Sequence, residues 1–234
     1  MLEIAIISAH PAMFAGFLAE SIVARAAARG LCEVKLVDLR GFGEGRWRRI
    51  DDRPYGGGPG MLMMCGPWFA AVESLGRDGA APARIIMTSP AGRRFTQRDA
   101  EELSAEKRLV FMCGHYEGFD ARIVTLATDV FSVGDFVMTG GELAAAAMTD
   151  AVVRLLPGAI GGGQAAVSSE SFSRGAALEA PQFTRPPEFR GMKVPDVLLS
   201  GDHARIEAWK ASASRSATAR TRPDLLKERP SPGD

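Results

Sequence analysis

RLVFMCGHYEGFD, residues 108–120, sets the reading of this chain. RLVFMCG is a short apolar strand that ends in a glycine, and a polar loop, HYEGFD, follows at once. The same grammar recurs on either side. ARIIMTS is a strand ending in the turn Pro90-Ala91-Gly92, and Gln97 to Glu106 reads as a helix. Helix resumes after Asp120 to about Ala127. DVFSVGDFVMTGGE then reads as two short extended pieces, broken at Gly134 and stopped by Gly140-Gly141. An alanine-rich helix follows from Glu142 to Leu156. Towards the N-terminus, LEIAIIS is a buried strand, and residues 11–28 carry Phe14, Phe17, Leu18 and Ile22 at helical spacing up to a stop at Gly30. CEVKLVDL alternates as a second strand, and Pro67 to Leu75 is helical. Strands alternating with helices predict an α/β fold with a mostly parallel sheet.

Three glycine-bearing loops thus follow apolar strands: TSPAG (88–92), CGHYEG (113–118) and VGDFVMTGGE (133–142). In open α/β sheets ligands gather at the carboxyl ends of the strands. Glycine lets the backbone approach a ligand closely or take positive φ, although each glycine also serves a plain turn. A fourth glycine-rich stretch, Gly41 to Gly60, contains DDRPYGGGPG and is too long for a mere connector. No Gly-x-Gly-x-x-Gly opens a helix, no Gly-Lys-Ser/Thr completes a phosphate loop, and no serine sits in a Gly-x-Ser-x-Gly elbow.

The chain has 234 residues, 46% of them hydrophobic and 24% charged, with zero formal net charge. These values fit a soluble globular protein and exclude one that is basic throughout. Charge is uneven, however. Residues 204–222 hold Arg205, Lys210, Arg215, Arg220 and Arg222 against Glu207, with Trp209 among them, and residues 40–53 hold five arginines against three acids. Such stretches suit phosphates and bases, or simply a solvated surface. Cys32, Cys65 and Cys113 are scattered and read as reduced thiols of a cytoplasmic protein, without zinc spacing. The N-terminus does not read as a signal peptide.

DDRPYGGGPGM, CGHYEG, VGDFVMTGGE and DAVVRLLPG, in this order, closely resemble the bacterial tRNA (guanine-N1)-methyltransferase family, the TrmD type of the SPOUT superfamily. FTRPPEFRGMKVPDVLLSGDHARIEAW and TRPDLL extend the resemblance over nearly the whole chain. It implies an α/β fold with a deep trefoil knot, against the usual rule of unknotted chains, and a small helical C-terminal domain. The implied organisation is a knotted S-adenosylmethionine-binding domain at 1–160, a flexible linker at 161–187, and a helical tRNA-binding domain at 188–234 with a frayed tail. A homodimer with its active site at the subunit interface is implied as well.

By motif match, S-adenosylmethionine is held by Ser89, Pro90, Gly114, Tyr116, Glu117, Val133, Gly134, Asp135, Phe136, Val137, Met138, Gly140 and Gly141. Asp51, Arg53, Gly58, Pro59 and Gly60 belong to the loop that shapes the target-base pocket. The family's reaction methylates N1 of the guanosine immediately 3′ of the anticodon. That needs a base for the N1 proton and a cation or N–H donors at O6. The matching residues are Glu170, in SSESF, and Arg154, in DAVVRLLPG. The family's use of magnesium implies that ion too, but the sequence contains no dedicated ligand cluster. The chain departs from the family at Glu170, where aspartate is typical, and a base misplaced by an ångström costs ~100-fold in rate. It departs also at His115, where arginine is usual, and at Gly162-Gly163-Gln164. The competing readings are a tRNA-binding protein of this fold with impaired catalysis, and a knotted RNA methyltransferase with another target atom. A phosphate-loop hydrolase is disfavoured by the missing lysine.

Overall fold

The computed structural model describes residues 1–76, 83–161, 170–173 and 177–226. The tail ERPSPGD and Gly162-Gly163-Gln164 lie outside them. The chain divides into two compact units, Met1–Gly161 and Gly162–Asp234.

In the first unit the strands are β1 (Leu2–Ser8), β2 (Cys32–Asp38), β3 (Asp51–Asp52), β4 (Leu62–Met63), β5 (Arg84–Arg94), β6 (Arg108–Cys113) and β7 (Asp129–Ser132). The helices are α1 (Ala15–Ala19), α2 (Ser21–Ala28), α3 (Cys65–Gly76), α4 (Gln97–Ser104) and α5 (Glu142–Val153). Five strands form one sheet in the order β2-β1-β6-β5-β7, with every neighbouring pair parallel. Parallel strands need crossover connections, and these cover both faces. Leu2, Ile4 and Ile6 of β1 point with Leu109 and Phe111 of β6 towards α2, α4 and α5. Ala5, Ile7, Val110 and Met112 point the other way, onto Trp68 and Ala71 of α3. The alternation is the period of two expected of a strand. Each fully buried aromatic or aliphatic side chain here contributes about 1.5–3 kcal/mol of transfer free energy. Among the described residues no single helix is long and apolar enough to cross a membrane.

Several elements differ from the sequence expectation. Residues 11–28 are not one helix. A 3-10 turn, Pro11–Phe14, leads into α1, the backbone becomes extended at Glu20, and α2 leaves at 81°. Phe14 and Val23 reach the same core from the two halves, and the bend keeps both segments on the sheet. Residues 121–126 form a 3-10 helix, capped by Asp120, instead of an α-helix. The second half of DVFSVGDFVMTGGE forms no strand; Asp129–Ser132 pairs with β5, and beyond it there is only an isolated bridge from Gly140 to His115. The 41–60 loop is partly paired: Glu44 bridges Arg49, and β3 pairs antiparallel with β4.

In the second unit, β8 (Glu188–Phe189) and β9 (Met192–Lys193) make a small hairpin through Arg190 and Gly191, both at positive φ. A short helix, Asp196–Leu199, precedes a long one, His203–Thr221, which is capped by the Asp202 side chain. This long helix extends well past the expected stop near Ala213. Its alanine- and serine-rich second half has no apolar stripe to mark it. Part of the segment expected as a linker is fastened to it: Leu178 N donates to Thr218 Oγ1 at 3.0 Å, and Ser214 Oγ to Leu178 O at 2.5 Å.

β5 is the decisive irregularity. Thr88 and Arg93 both lie opposite Phe131, so residues 89–92 bulge from the ladder before pairing resumes. The turn expected at Pro90-Ala91-Gly92 is therefore a bulge inside a longer strand. Pro90 cannot donate to the ladder. A Cβ on Gly92 would stand 2.6 Å from backbone atoms of Phe131. Gly92→Ala is expected to cost the upper part of the ~1–3 kcal/mol typical of overpacking and lower Tm by several degrees. Gly41→Ala, with nothing within 4 Å of its Cβ position, is expected to stay within ~0.5 kcal/mol of wild type. Thermal unfolding of the two variants checks this.

Candidate active site

The ends of β5, β6 and β7 open onto a cavity of about 600 Å³. The first wall is the β5 bulge, in which Ser89 Oγ accepts from Ala91 N at 3.2 Å. The second is the loop after β6. It turns at residues 115–118, where Gly118 N donates to His115 O at 3.0 Å. Tyr116 takes φ +60° there, a left-handed conformation that non-glycine residues hold chiefly at constrained sites. The third is the loop after β7, which runs from Val133 past Phe136, Val137 and Met138 to Gly140 and Gly141.

Glycine is obligatory where these walls meet. Gly141 N donates to Gly114 O at 2.7 Å. A Cβ on Gly141 would overlap Thr88 Oγ1, which itself donates to Met112 O at 3.0 Å. β5, β6 and the entry to α5 thus meet with only the small Thr88 side chain between them.

The glycine-rich loop 53–60 spans β3 and β4 and is tied to the second wall. Glu117 N donates to Met61 O at 3.0 Å, Met63 N to Gly118 O at 2.9 Å, and Asp120 N to Met63 O at 3.0 Å. The Glu117 side chain occupies the space that a Cβ on Gly60 would need. DDRPYGGGPG therefore stands directly beside the cavity.

Compared with known proteins, residues 2–228 match the family described as tRNA (Guanine-1)-methyltransferase TrmD. The chain belongs to this family. It is 49% identical over 226 residues to the tRNA (guanine-N(1)-)-methyltransferase of Shouchella clausii, covering 97% of this chain and 92% of that one. It is 50% identical over 230 residues to that of Geobacillus kaustophilus, covering 98% and 93%. The Lactiplantibacillus plantarum protein of the same name is 48% identical over 225 residues, covering 96% and 91%.

The TrmD-type motifs assign residues that the structure gathers unevenly. Ser89, Pro90, Gly114, Tyr116, Glu117, Val133, Phe136, Val137, Met138, Gly140 and Gly141 all line the cavity. Gly134 and Asp135 do not. Gly134 N donates to Ser132 Oγ at 3.2 Å, and Asp135 pairs with Arg94 at 2.7 Å on the surface. Asp51 is half-buried in β3, while Arg53, Gly58, Pro59 and Gly60 lie exposed on the neighbouring loop, outside the cavity wall. Arg154 caps the far end of α5. Twelve residues at 1.5 Å rise place it ~18 Å along the helix from Glu142. Glu170 belongs to the second unit, in a groove of about 910 Å³ with Phe183, Trp209, Lys210 and Arg215. Its carbonyl oxygen accepts from Ser173 Oγ at 2.6 Å.

Behind the cavity wall stands a group that sequence reasoning does not single out: Glu142, the first residue of α5, is 1% exposed and accepts from Ser8 Oγ at 2.7 Å. Its position directly after Gly140-Gly141 was the available signal. Burial, and then the charge of Glu142, push the Cys113 thiol well up, so it stays protonated and unreactive. Among the described residues no three His, Cys, Asp or Glu side chains converge as on a metal ion.

Asp120, on the cavity wall, accepts from the Arg122 side chain at 2.9 and 2.7 Å and from its backbone N at 2.9 Å. The guanidinium first, then the backbone N–H, hold its carboxyl well below the usual carboxylate range. A carboxyl depressed on folding contributes stability that is complete above its unfolded value and lost as pH falls through its folded one. Asp120→Asn is therefore expected to lower Tm at pH 7. The gap from wild type should persist through pH 5 and close only in strong acid, as scanning calorimetry across pH would record.

Proposed function

We propose that this chain transfers the methyl group of S-adenosylmethionine to N1 of the guanosine immediately 3′ of the anticodon of tRNA. It does so in the cytoplasm, as a homodimer whose active site lies between subunits. The observation that carries the reading is the convergence of eleven motif-assigned residues on one cavity of ligand size.

The residues suit the donor. Gly114, Gly140 and Gly141 carry no side chain and let an adenine edge approach the backbone of the walls closely. Phe136 and Val137 are 57% and 84% exposed, apolar surface that a bound ligand would cover. Glu117 offers a carboxylate to the cationic end. The donor supplies an electrophilic methyl on a sulfonium, and the chain supplies proton management. Guanine N1 is a poor nucleophile until its proton leaves. Glu170 accepts that proton, and Arg154 stabilises the negative charge pushed onto O6.

In the homodimer, the donor loops come from one subunit and Glu170 from the other. The position of Arg154, a helix length along α5 from the cavity, favours a site that one chain's cavity does not complete. α5 leaves Leu143, at its cavity end, 60% exposed, an apolar face available to a second copy. The knot is supported by the return of the chain after β7 to the end of β6, where His115 bridges Gly140. For tRNA, the long C-terminal helix presents Arg205, Lys210, Arg215 and Arg220 to solvent as phosphate contacts. The 170–226 region thereby serves as the RNA-binding unit, and loop 53–60 shapes the target-base pocket.

The test is methyl transfer to a tRNA transcript with guanosine at the target and before it, with N1-methylguanosine read by mass spectrometry. Glu170→Gln is expected to slow single-turnover transfer by ~10²–10⁴-fold with donor binding intact. A fully active variant would place the base elsewhere. Gly140→Val is expected to abolish donor binding in calorimetry while the chain stays folded, because its Cβ meets only side-chain ends. Mixing these two variants is expected to restore part of the activity, because one of the two sites in a mixed dimer is then intact. No recovery despite subunit exchange would refute the composite site.

A further inference from the structure

Behind the cavity wall lies a polar cluster that the proposed reaction does not use. Glu142 Oε1 accepts from Ser8 Oγ at 2.7 Å, and the same hydroxyl oxygen accepts from His10 N at 2.8 Å. Glu142 Oε2 is buried without a hydrogen-bond partner, and so is Nδ1 of His115. These two atoms face each other at 3.8 Å. A Cβ on Gly140 would fall between them. The His115 ring is held by His10, 4.6 Å between centroids, and edge-on by Tyr116 at 5.0 Å.

The two groups belong to opposite walls. His115 sits on the loop after β6, and Glu142 opens α5 behind the loop after β7. Buried polar groups are almost always paired. Here an acceptor and an imidazole nitrogen able to donate are each left with no partner but the other. A closure of about 1 Å brings them within hydrogen-bond range. The carboxylate is prepared for it, because Ser8 fixes its rotamer. A Cβ at Gly140 would crowd both atoms, so glycine there leaves room for the bond.

We propose that His115 is a positioning residue for the methyl donor. In the bound state the Nδ1–H of His115 donates to Glu142 Oε2, drawing the loop after β6 onto the base of α5 and fixing both walls around the ligand. This rests on the reading of the cavity as the donor site. Glu142 anchors the clamp and His115 closes it, and neither touches the transferred methyl group.

Calorimetry with S-adenosylmethionine on the full-length protein, together with single-turnover transfer, tests the clamp. His115→Phe keeps a ring but removes the donor. It is expected to weaken donor binding roughly tenfold, the worth of one buried hydrogen bond. The rate at saturating donor should stay within about twofold of wild type. His115→Asn, whose amide nitrogen occupies the place of Nδ1, is expected to recover most of the affinity. In protein labelled with ¹⁵N-histidine, a downfield Nδ1–H resonance should appear on donor saturation and be absent from both variants. Wild-type affinity in His115→Phe would overturn the clamp. Equal losses in the Phe and Asn variants would also overturn it, by showing ring packing alone to matter. Failure of the wild-type protein itself to bind the donor would instead overturn the donor-site reading beneath it.

Discussion

The structure turns on one close approach, where Gly141 N meets Gly114 O over the Thr88 hydroxyl. Two strands, β5 and β6, and the start of α5 are joined there by backbone and a single small side chain. A methyl group at 141 would push α5 away from the sheet, and α5 carries Ala145, Met148, Val152 and Val153 into the core. The cavity has its shape because this junction is tight. Its walls diverge from this one point.

The cavity's position follows from the sheet. Five parallel strands covered on both faces leave only their ends open to ligands. At the carboxyl ends the chain departs from the ladder, by the bulge after Thr88, the left-handed Tyr116, and the unpaired run after Ser132. Each departure leaves backbone groups to be satisfied across the chain. The straps from Met61 and Met63 to the loop after β6 satisfy several, and in doing so bring the glycine-rich loop alongside.

α5 separates two halves of the proposed chemistry. Its N-terminal end forms the base of the cavity, and its C-terminal end carries Arg154. A rigid helix cannot present both ends to one ligand. The proposed homodimer, with a donor pocket in one copy and Glu170 from a second, reconciles this geometry with family membership. The groove that holds Glu170 beside Lys210 and Arg215 would then place the base on the same unit as the phosphate contacts.

The alternation of apolar strands with helices was legible because burial imposes short periods on neighbouring residues. Glycines marked the strand-end loops, since close approach admits no other residue, and the order of the motifs identified the family. What the sequence left open depends on contacts between distant positions. Ser8 and Glu142 are 134 residues apart, and nothing along the chain pairs them. The resumption of β5 after Pro90 depends on Phe131 as a partner, and the pairing of residues 51–52 with 62–63 depends on a hairpin that glycine content alone does not specify. The bend at Glu20 leaves helical spacing intact on both sides and so is silent in the sequence. Local periodicity thus determined which segments are strands and helices. Only tertiary structure decided which backbone groups meet at the strand ends, because those hydrogen bonds are chosen by packing rather than by neighbours along the chain.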